Sequence, residues 1–454
     1  MRYFLDPFGC VKNQVDAENM MACLNRAGWE NTSSEDADLI IVNSCGFIES
    51  AKQESIDAVL EWRKFHPEKK ILLAGCLAQR YAEELTESLP EADGFFGVDN
   101  ITEIAAAANA AVSAAANIAP VARSTPVETG NRPLLSLPGS AYVKISEGCD
   151  NRCSYCAIPL IRGPLVSRAI PDIVEECRAL LARGIRELCI VGQDIGSFGI
   201  DGQAAMRRQT ASQLPELLNA ISRIEGHFWV RLLYIHPDHF PLPVLDLMER
   251  DARFLPYFDI PFQHASLKIL AAMNRRGSAE KYMELIKTIR NRLPHAVIRS
   301  TFLLGFPGET EGDFAALLDF QEKAALDWLG CFAFSREEDT AAYSMKGQVP
   351  KKIATARKNL IEERQIPITE KNMERFIGKT LEALLEERFA NTASADADND
   401  NEVIWLGRLY CHAPEIDGTA VIVNADKMPT AGTLALCKVI ARRGFDLEVC
   451  PIPV

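Results

Sequence analysis

The sequence lacks any segment long and apolar enough to cross a membrane. No run of about 18 apolar residues occurs among its 454 residues, and its first residues, Met1 to Asp6, do not form a charged leader followed by an apolar stretch. Positive charge is also scarce, since 49 Lys and Arg residues stand against 62 Asp and Glu residues. We therefore expect a cytoplasmic protein whose net charge of -13 favours a basic protein partner over a nucleic acid.

Cysteine is abundant, but its tightest group has three members and no fourth. Thirteen cysteines without an export signal predict thiolate ligands in a reducing compartment rather than disulfides. Cys149, Cys153 and Cys156 are separated by three and then two residues. Three cysteines at this spacing can bind a 4Fe-4S cluster and leave one iron without a protein ligand, which predicts a catalytic cluster. The alternatives are a zinc loop with a distant fourth ligand and chance clustering.

The first hundred residues repeat a strand-then-helix pattern three times. The predicted strands are 2–8, 39–42 and 71–74, and the predicted helices are 15–26, 50–65 and 79–89. One cysteine stands where each strand turns into a helix, namely Cys10, Cys45 and Cys76. Such turns line up along one edge of an open parallel sheet, so we expect the three thiols to converge near helix N-termini that favour an anionic cluster. The alternative, three thiols that pack as small apolar groups, fits equivalent positions in three repeats poorly.

Six larger strand-and-helix units follow. The candidate strands are 141–146, 187–192, 228–235, 258–261, 297–304 and 328–334. Together they predict a partial TIM-type barrel, (β/α)6, with its chemistry at the carboxyl ends of the strands. The loop with Cys149 follows the first of these strands, as that arrangement requires.

The C-terminal part predicts a small β-barrel that resembles OB-like modules. Short alternating runs occur at 381–385, 403–409, 419–423 and 434–440. Residues 390–401 predict a floppy insertion; a calcium loop there would lack the usual Gly and terminal Glu. From Phe376 to Val454, seven Lys and Arg residues stand against twelve Asp and Glu residues. A barrel that binds RNA should be basic, so nucleic-acid binding is expected to be weak or incidental.

The loop Gly148–Cys156, with an aromatic residue before its last cysteine, resembles the radical S-adenosylmethionine (SAM) enzymes. The resemblance implies that the open iron binds SAM and that the reduced cluster releases a 5′-deoxyadenosyl radical from it.

Candidate SAM contacts are polar residues and glycines at the ends of barrel strands, together with the aromatic residue of the loop, whose ring can lie against the adenine. They are Tyr155, Gln193, Asp194, Arg299, Gly305 and Pro307. For those at the strand ends, a helix cap, a turn or an ion pair is the alternative.

Over its whole length the chain resembles the methylthiotransferases. Three stretches, 9–18, 42–48 and 413–418, are more similar to the branch that modifies an aspartate of ribosomal protein S-twelve than to the transfer RNA branch. Ser44, Ala17 and the insertion near 391–401 depart from that pattern. The expected domains are an N-terminal domain to 118, a linker to 139, a radical SAM domain to 375 and a TRAM domain from 376.

In that family the N-terminal cysteines hold a second 4Fe-4S cluster. The implied hypothesis is that the radical removes a hydrogen from the aspartate CH2, that the carbon takes sulfur carried by the second cluster, and that another SAM methylates the sulfur. The implied partners are a basic ribosomal protein, free or on the ribosome, and an external electron donor. The alternatives are the same chemistry on transfer RNA adenosine, which the acidic surface disfavours, and a non-catalytic iron-sulfur carrier.

Overall fold

The computed structural model describes residues 1–113, 130–202, 211–390, 403–425 and 428–452. Its N-terminal sheet is parallel, with the strand order β2-β1-β3-β4-β5. The strands are β1 (Arg2–Pro7), β2 (Glu30–Asn31), β3 (Leu39–Ser44), β4 (Lys70–Gly75) and β5 (Gly94–Phe96). The helices are α1 (Val11–Arg26), α2 (Glu49–Phe65), α3 (Cys76–Ser88) and α4 (Ile104–Ser113).

Helices cover both faces of this sheet, which explains why β3 is a continuous apolar run. Leu39 and Ile41 pack in the core formed with α1 and α4, whereas Ile40 and Val42 face the core formed with α2 and α3. Parallel sheets are normally buried on both faces in this way. The predicted open parallel sheet is confirmed, and α1 begins at Val11 rather than at residue 15.

The central unit is an open parallel sheet of six strands. Its order, β13-β12-β11-β10-β9-β6, follows the chain. The strands are β6 (Ser140–Lys144), β9 (Glu187–Val191), β10 (Trp229–Leu232), β11 (Phe254–Asp259), β12 (Val297–Leu304) and β13 (Trp328–Ala333), with a short pair, β7 (Ser146–Glu147) and β8 (Val166–Ser167), beside them. The helices are α5 (Ile158–Arg162), α6 (Ile170–Ala182), α7 (Leu214–Ile221), α8 (Pro243–Arg250), α9 (Leu267–Ala272), α10 (Ala279–Arg292), α11 (Glu311–Ala324) and α12 (Lys351–Glu374). The predicted partial (β/α)6 barrel is therefore confirmed.

The fourth barrel strand lies earlier than predicted. The sequence predicted 258–261, but β11 covers Phe254–Asp259. Pro256 lies inside it, and proline normally argues against a central strand because it cannot donate to the ladder. The structure accommodates Pro256 through a register shift in the pairing of β10 with β11 and through pairing of β12 only from Tyr257 onward.

The long helix α12 was not predicted. It contains Pro367, which normally interrupts a helix, and its buried stripe is partly polar. Gln365 donates from Nε2 to the carbonyl oxygen of Leu326 at 2.8 Å, and Thr369 donates from Oγ1 to that of Asp327 at 2.8 Å. Polar residues at buried helix positions remove the apolar periodicity on which sequence prediction depends.

The C-terminal unit is a closed five-stranded barrel with the order β14-β15-β16-β18-β17. Its strands are β14 (Thr380–Ala390), β15 (Val403–Leu409), β16 (Ala420–Ile422), β17 (Leu434–Arg443) and β18 (Asp446–Pro451), so the predicted small barrel is confirmed. Most of the predicted linker and of the predicted insertion lies outside the described residues, and the domain boundaries remain predictions. No helix within the described ranges is both long and apolar enough to cross a bilayer.

A buried ion-pair network joins the C-terminal barrel to the six-stranded sheet. Glu187 on β9 accepts hydrogen bonds from Arg231 Nε at 2.7 Å and from Arg408 Nη2 at 2.5 Å. Burial would raise the pKa of Glu187, but Arg408 and Arg231 outweigh it and lower this pKa to about 2. The small barrel is thus fixed to the central unit by a charge pair shielded from water.

Replacing Arg408 by Met should destabilise the protein by about 2–4 kcal/mol, because it leaves Glu187 buried with only one cation. Thermal unfolding of the purified protein measures this. Arg443→Met is the matched control, since Arg443 forms an exposed pair with Glu448 and should change stability by less than about 1 kcal/mol. Equal effects of the two variants would contradict a stabilising role for the buried pair.

Candidate active site

The three N-terminal cysteines come together at the carboxyl edge of their sheet. Cys10 immediately precedes α1, Cys45 follows β3, and Cys76 is the first residue of α3. A Cβ added at Gly9, whose φ is 93°, would lie 3.0 Å from Cys45 Cβ, and one added at Gly46 would lie 2.7 Å from the carbonyl oxygen of Cys76. The turns therefore approach one another so closely that two glycines are needed between them.

The environment of these thiols changes their acidity in different directions. Burial, with smaller contributions from Cys10 and Cys76, raises the pKa of Cys45 to about 12. Burial also raises the pKa of Cys76, against the opposing charge of Arg162. Burial would raise the pKa of Cys10 too, but Lys12 and Arg162, with backbone amides at the start of α1, outweigh it and lower this pKa. Cations and a helix N-terminus thus already favour negative charge here.

The donor set at this edge fits an iron-sulfur cluster. Three soft sulfur ligands come from three separate turns, and cations lie beside them to balance an anionic group. Within the described residues, no three metal-binding side chains converge as a single ion would require. That arrangement is not needed by a cluster, because each of its cysteines binds a different iron.

Arg162 connects this edge to the central barrel. Its Nη2 donates to Cys76 Sγ at 3.0 Å, and its Nη1 lies 2.7 Å from Asp16 and 2.9 Å from Glu147. Lys144 is paired with the same two carboxylates. Arg162 is 2% exposed and ends α5, six residues after Cys156. One buried guanidinium therefore contacts one cysteine set and belongs to the segment that follows the other.

The three-Cys loop of the barrel is held by its backbone. The amide of Cys149 donates to the carbonyl oxygen of Gly163 at 3.1 Å, and that of Cys156 to the carbonyl oxygen of Cys153 at 3.0 Å. Gly148 has a φ of 73°, and an added Cβ would lie 2.1 Å from the carbonyl oxygen of Pro164. The loop therefore requires glycine at this position.

Two thiols of this loop, Cys149 and Cys156, resist ionisation in the protein alone. Burial raises the pKa of Cys149 to about 12, with Asp194, Cys153 and Asp150 adding to the effect. Burial also raises the pKa of Cys156, followed by the charge of Cys153. A bound metal would reverse this preference, because thiolates are the ligands and binding releases their protons.

The predicted SAM contacts are partly gathered at this loop. The hydroxyl of Tyr155 accepts from Arg275 Nη1 at 3.2 Å, and its ring stands edge-on to Phe306 with centroids 6.5 Å apart. Phe306 lies between Gly305 and Pro307. Tyr155 and the turn at 305–307 are thus neighbours.

Gln193 and Asp194 are adjacent in the chain, but their side chains differ in how fully they are hydrogen-bonded. Gln193 donates from Nε2 to Glu147 at 2.9 Å, but its Oε1 is buried and has no hydrogen-bond partner within the described ranges. The carboxylate of Asp194 accepts from Asn151 Nδ2 at 2.9 Å and from Ser197 Oγ at 2.7 Å, besides two backbone amides. Asp194 therefore holds the cysteine loop, whereas Gln193 keeps an acceptor available.

Arg299 and Gly305 have local partners of their own. Arg299 lies 3.2 Å from Asp259 and 3.5 Å from Asp417 of the C-terminal barrel. The amide of Gly305 donates to the Glu309 carboxylate at 2.7 Å, and its φ is 76°. For Arg299, the structure contains the ion pair that the sequence analysis gave as the alternative to a SAM contact.

Sequence reasoning missed the charged residues that join the two cysteine sets. They are Lys12, Asp16, Lys144, Glu147 and Arg162. The sequence did contain a signal for these residues. Lys12, Asn13 and Asp16 are polar residues at the start of α1, just after Cys10, and the structure buries all three. Polar side chains buried in the first turns after a cysteine indicate a site rather than a core.

This chain is similar to known proteins over nearly its whole length. Three family models match: "Uncharacterized protein family UPF0004" over residues 2–97, "Radical SAM superfamily" over 143–320 and "TRAM domain" over 377–452. A ribosomal protein uS12 methylthiotransferase RimO from Treponema denticola is 46% identical, covering 99% of this chain and 100% of that protein. The protein of the same name from Syntrophomonas wolfei is 40% identical, covering 97% of each chain.

A solved structure shares the fold. The radical S-adenosylmethionine methyltransferase TsrM from Kitasatospora setae superposes with a TM-score of 0.50 at 14% identity, covering 87% of this chain and 79% of that one. At this identity the likeness concerns the fold alone.

Proposed function

This chain belongs to the ribosomal protein uS12 methylthiotransferase family of radical SAM enzymes, and from that membership we propose that it adds a methylthio group to the β carbon of an aspartate in uS12. The observation that carries the proposal is the hydrogen bond from Arg162 to Cys76, which links the segment after one three-Cys set to a thiol of the other. Two linked sets suit a reaction that starts a radical at one centre and delivers sulfur from another.

We propose that Cys149, Cys153 and Cys156 bind the 4Fe-4S cluster that activates SAM, and that Cys10, Cys45 and Cys76 bind a second 4Fe-4S cluster. When bound, these clusters and SAM supply the electron, the 5′-deoxyadenosyl radical, the sulfur and the methyl group. Residues of the chain supply the compensating charge and hold the two cysteine sets in place. Arg162 offsets the negative charge of the Cys10 and Cys76 thiolates, and it also fixes the spacing between the two sets.

For SAM, we propose direct contacts from Gln193, Tyr155 and the turn with Gly305 and Pro307. The unpartnered Oε1 of Gln193 can accept from the ammonium of SAM, and the half-buried ring of Tyr155 offers an apolar face to the adenine. Asp194 has its carboxylate committed to Asn151 and Ser197, so we assign it to positioning the loop.

The position of Arg299 suggests a similar indirect role. Its guanidinium is engaged with Asp259 and Asp417, so it shapes the barrel wall and reaches SAM only through these neighbours. The transfer RNA alternative is not favoured, since the matching relatives carry the uS12 name. We further propose an external electron donor and a cytoplasmic location, because thiolate ligands need a reducing compartment.

Product analysis tests the function. The anaerobically reconstituted protein, given SAM, a strong reductant and uS12, should release 5′-deoxyadenosine and yield a uS12 peptide in which a methylthio group replaces a hydrogen of one aspartate. Mass spectrometry of digested uS12 measures this. The same modification on a transfer RNA adenosine instead would contradict the proposal, and an absence of 5′-deoxyadenosine would favour an electron carrier.

A further inference from the structure

Lys12 is a largely buried residue whose ammonium contacts no carboxylate among the residues that the structure describes. Its side chain is 9% exposed, and its Nζ lies 3.4 Å from the centre of the Tyr234 ring. In the portion of the chain that the structure describes, this ammonium has neither a hydrogen-bond acceptor nor a carboxylate within bonding distance. Cations in largely buried residues are normally paired, since removing a charge from water is costly. Within the described residues this ammonium has no carboxylate of its own, so it can pair with an anionic group that enters beside it.

The other cations nearby already have partners. Arg162 and Lys144 share the carboxylates of Asp16 and Glu147. Cys10 and Asp259 act on Lys12 through their charges, and no ion pair joins Lys12 to a carboxylate in the part of the chain that the structure describes. Lys12 is thus a cation beside the N-terminal cysteines that can receive a new anion.

Tyr234 and Asp259 place this ammonium at the inner wall of the barrel. Tyr234 follows β10 with a φ of 66°, a conformation that bulky residues rarely adopt and that often marks a functional site. Asp259 ends β11; its Oδ1 accepts from Arg299 at 3.2 Å, whereas its Oδ2 is buried without a partner among the described residues. The unpaired cation and the unpaired acceptor lie close enough to interact through their charges, as Lys12 also does with Cys10.

We propose that the Lys12 ammonium binds the side-chain carboxylate of the substrate aspartate. This inference rests on the proposed function. The carboxylate is bonded to the carbon that reacts, so holding it fixes the CH2 group beside the N-terminal cysteines. Because Arg299 neutralises Asp259, Lys12 presents its positive charge to the substrate. An asparagine in place of the aspartate would lose the charge-assisted hydrogen bond.

A double-mutant binding cycle tests this assignment. Reconstituted holoenzyme without reductant is titrated with uS12 and with uS12 whose target aspartate is changed to Asn. The unaltered enzyme should bind the aspartate form about 10- to 100-fold more tightly, and Lys12→Met should reduce that preference to less than about 2-fold. Lys12→Arg keeps the cation and should retain most of the preference.

Lys69→Met is the matched control. Lys69 is equally buried, at 8% exposed, but its ammonium donates to backbone carbonyls of Ser34 and Glu35, so the preference should survive its removal. A Lys12→Met enzyme that keeps the preference would overturn the assignment. Loss of iron or an altered cluster absorption spectrum in the Lys12→Met variant would also overturn the assignment, because it would show that Lys12 supports cluster binding. Failure of the unaltered enzyme to bind or modify uS12 would instead remove the proposed function, and this inference with it.

Discussion

Changing Cys45 to Ala is expected to leave SAM cleavage intact while lowering methylthio transfer to uS12 by more than about 100-fold. Cys45 follows β3 in the N-terminal sheet, and its neighbours are Gly9 and the Ser55 hydroxyl rather than the barrel loop. Its removal therefore takes one thiolate from the set proposed to deliver sulfur and none from the set proposed to bind SAM. Chromatography of 5′-deoxyadenosine and mass spectrometry of uS12, run on the same reaction, measure both quantities.

Cys23→Ala is the matched control for this variant. Cys23 is a buried thiol in α1 and packs in the apolar core under the sheet, so its loss should affect stability but not the ratio of cleavage to transfer. A Cys45→Ala enzyme that still modifies uS12 at the unaltered rate would show that the N-terminal cysteines are not the sulfur site.

Changing Cys153 to Ala is expected to abolish both SAM cleavage and methylthio transfer. The iron content should fall from about eight to about four atoms per chain, because one of two four-iron clusters is lost. The N-terminal thiols are on a different sheet and keep their own surroundings, so their share of the iron should remain. Iron analysis, with 5′-deoxyadenosine as the activity readout, measures the effect.

Cys177→Ala serves as the comparison for Cys153→Ala. Cys177 is fully buried in α6 among apolar neighbours, and no role in the reaction is proposed for it. Continued release of 5′-deoxyadenosine by Cys153→Ala would mean that SAM is activated elsewhere in the molecule. Loss of all iron would mean that the two cysteine sets do not assemble independently.

The sequence predicted the parts of the site that follow from strand topology. Cys10, Cys45 and Cys76 are far apart in the chain, but each follows a strand of one parallel sheet, and the carboxyl ends of such strands meet at one edge. The loop with Cys149 was placed by the same rule at the end of the first barrel strand. Regular alternation of strands and helices was enough for both results.

Interactions across units could not be predicted in this way. Arg162 and Asp16 belong to different units, and their contact depends on how the barrel docks against α1, which no local pattern encodes. The same holds for Arg231 and Arg408, which meet at Glu187.

Two prolines account for further differences between the predicted and the observed secondary structure. Pro256 and Pro367 each occupy a position where proline normally ends the element. The structure leaves Pro256 out of the regular strand pairing and contains Pro367 inside α12. For Asp194, which follows a strand, the structure contains the alternative of a cap, since its side chain accepts from the amide of Gly196; its contact with SAM remains a prediction. At strand ends, capping and binding use the same residue types.

The buried guanidinium of Arg162 also limits how the protein can move. Its pairing with Asp16, with both side chains almost fully shielded from water, would have to be broken for the first hundred residues to swing away from the barrel. The same movement would also remove the hydrogen bond from Arg162 Nη2 to Cys76 Sγ. A displacement of the N-terminal unit would therefore change the charge beside the Cys76 thiol as well as the distance between the two cysteine sets.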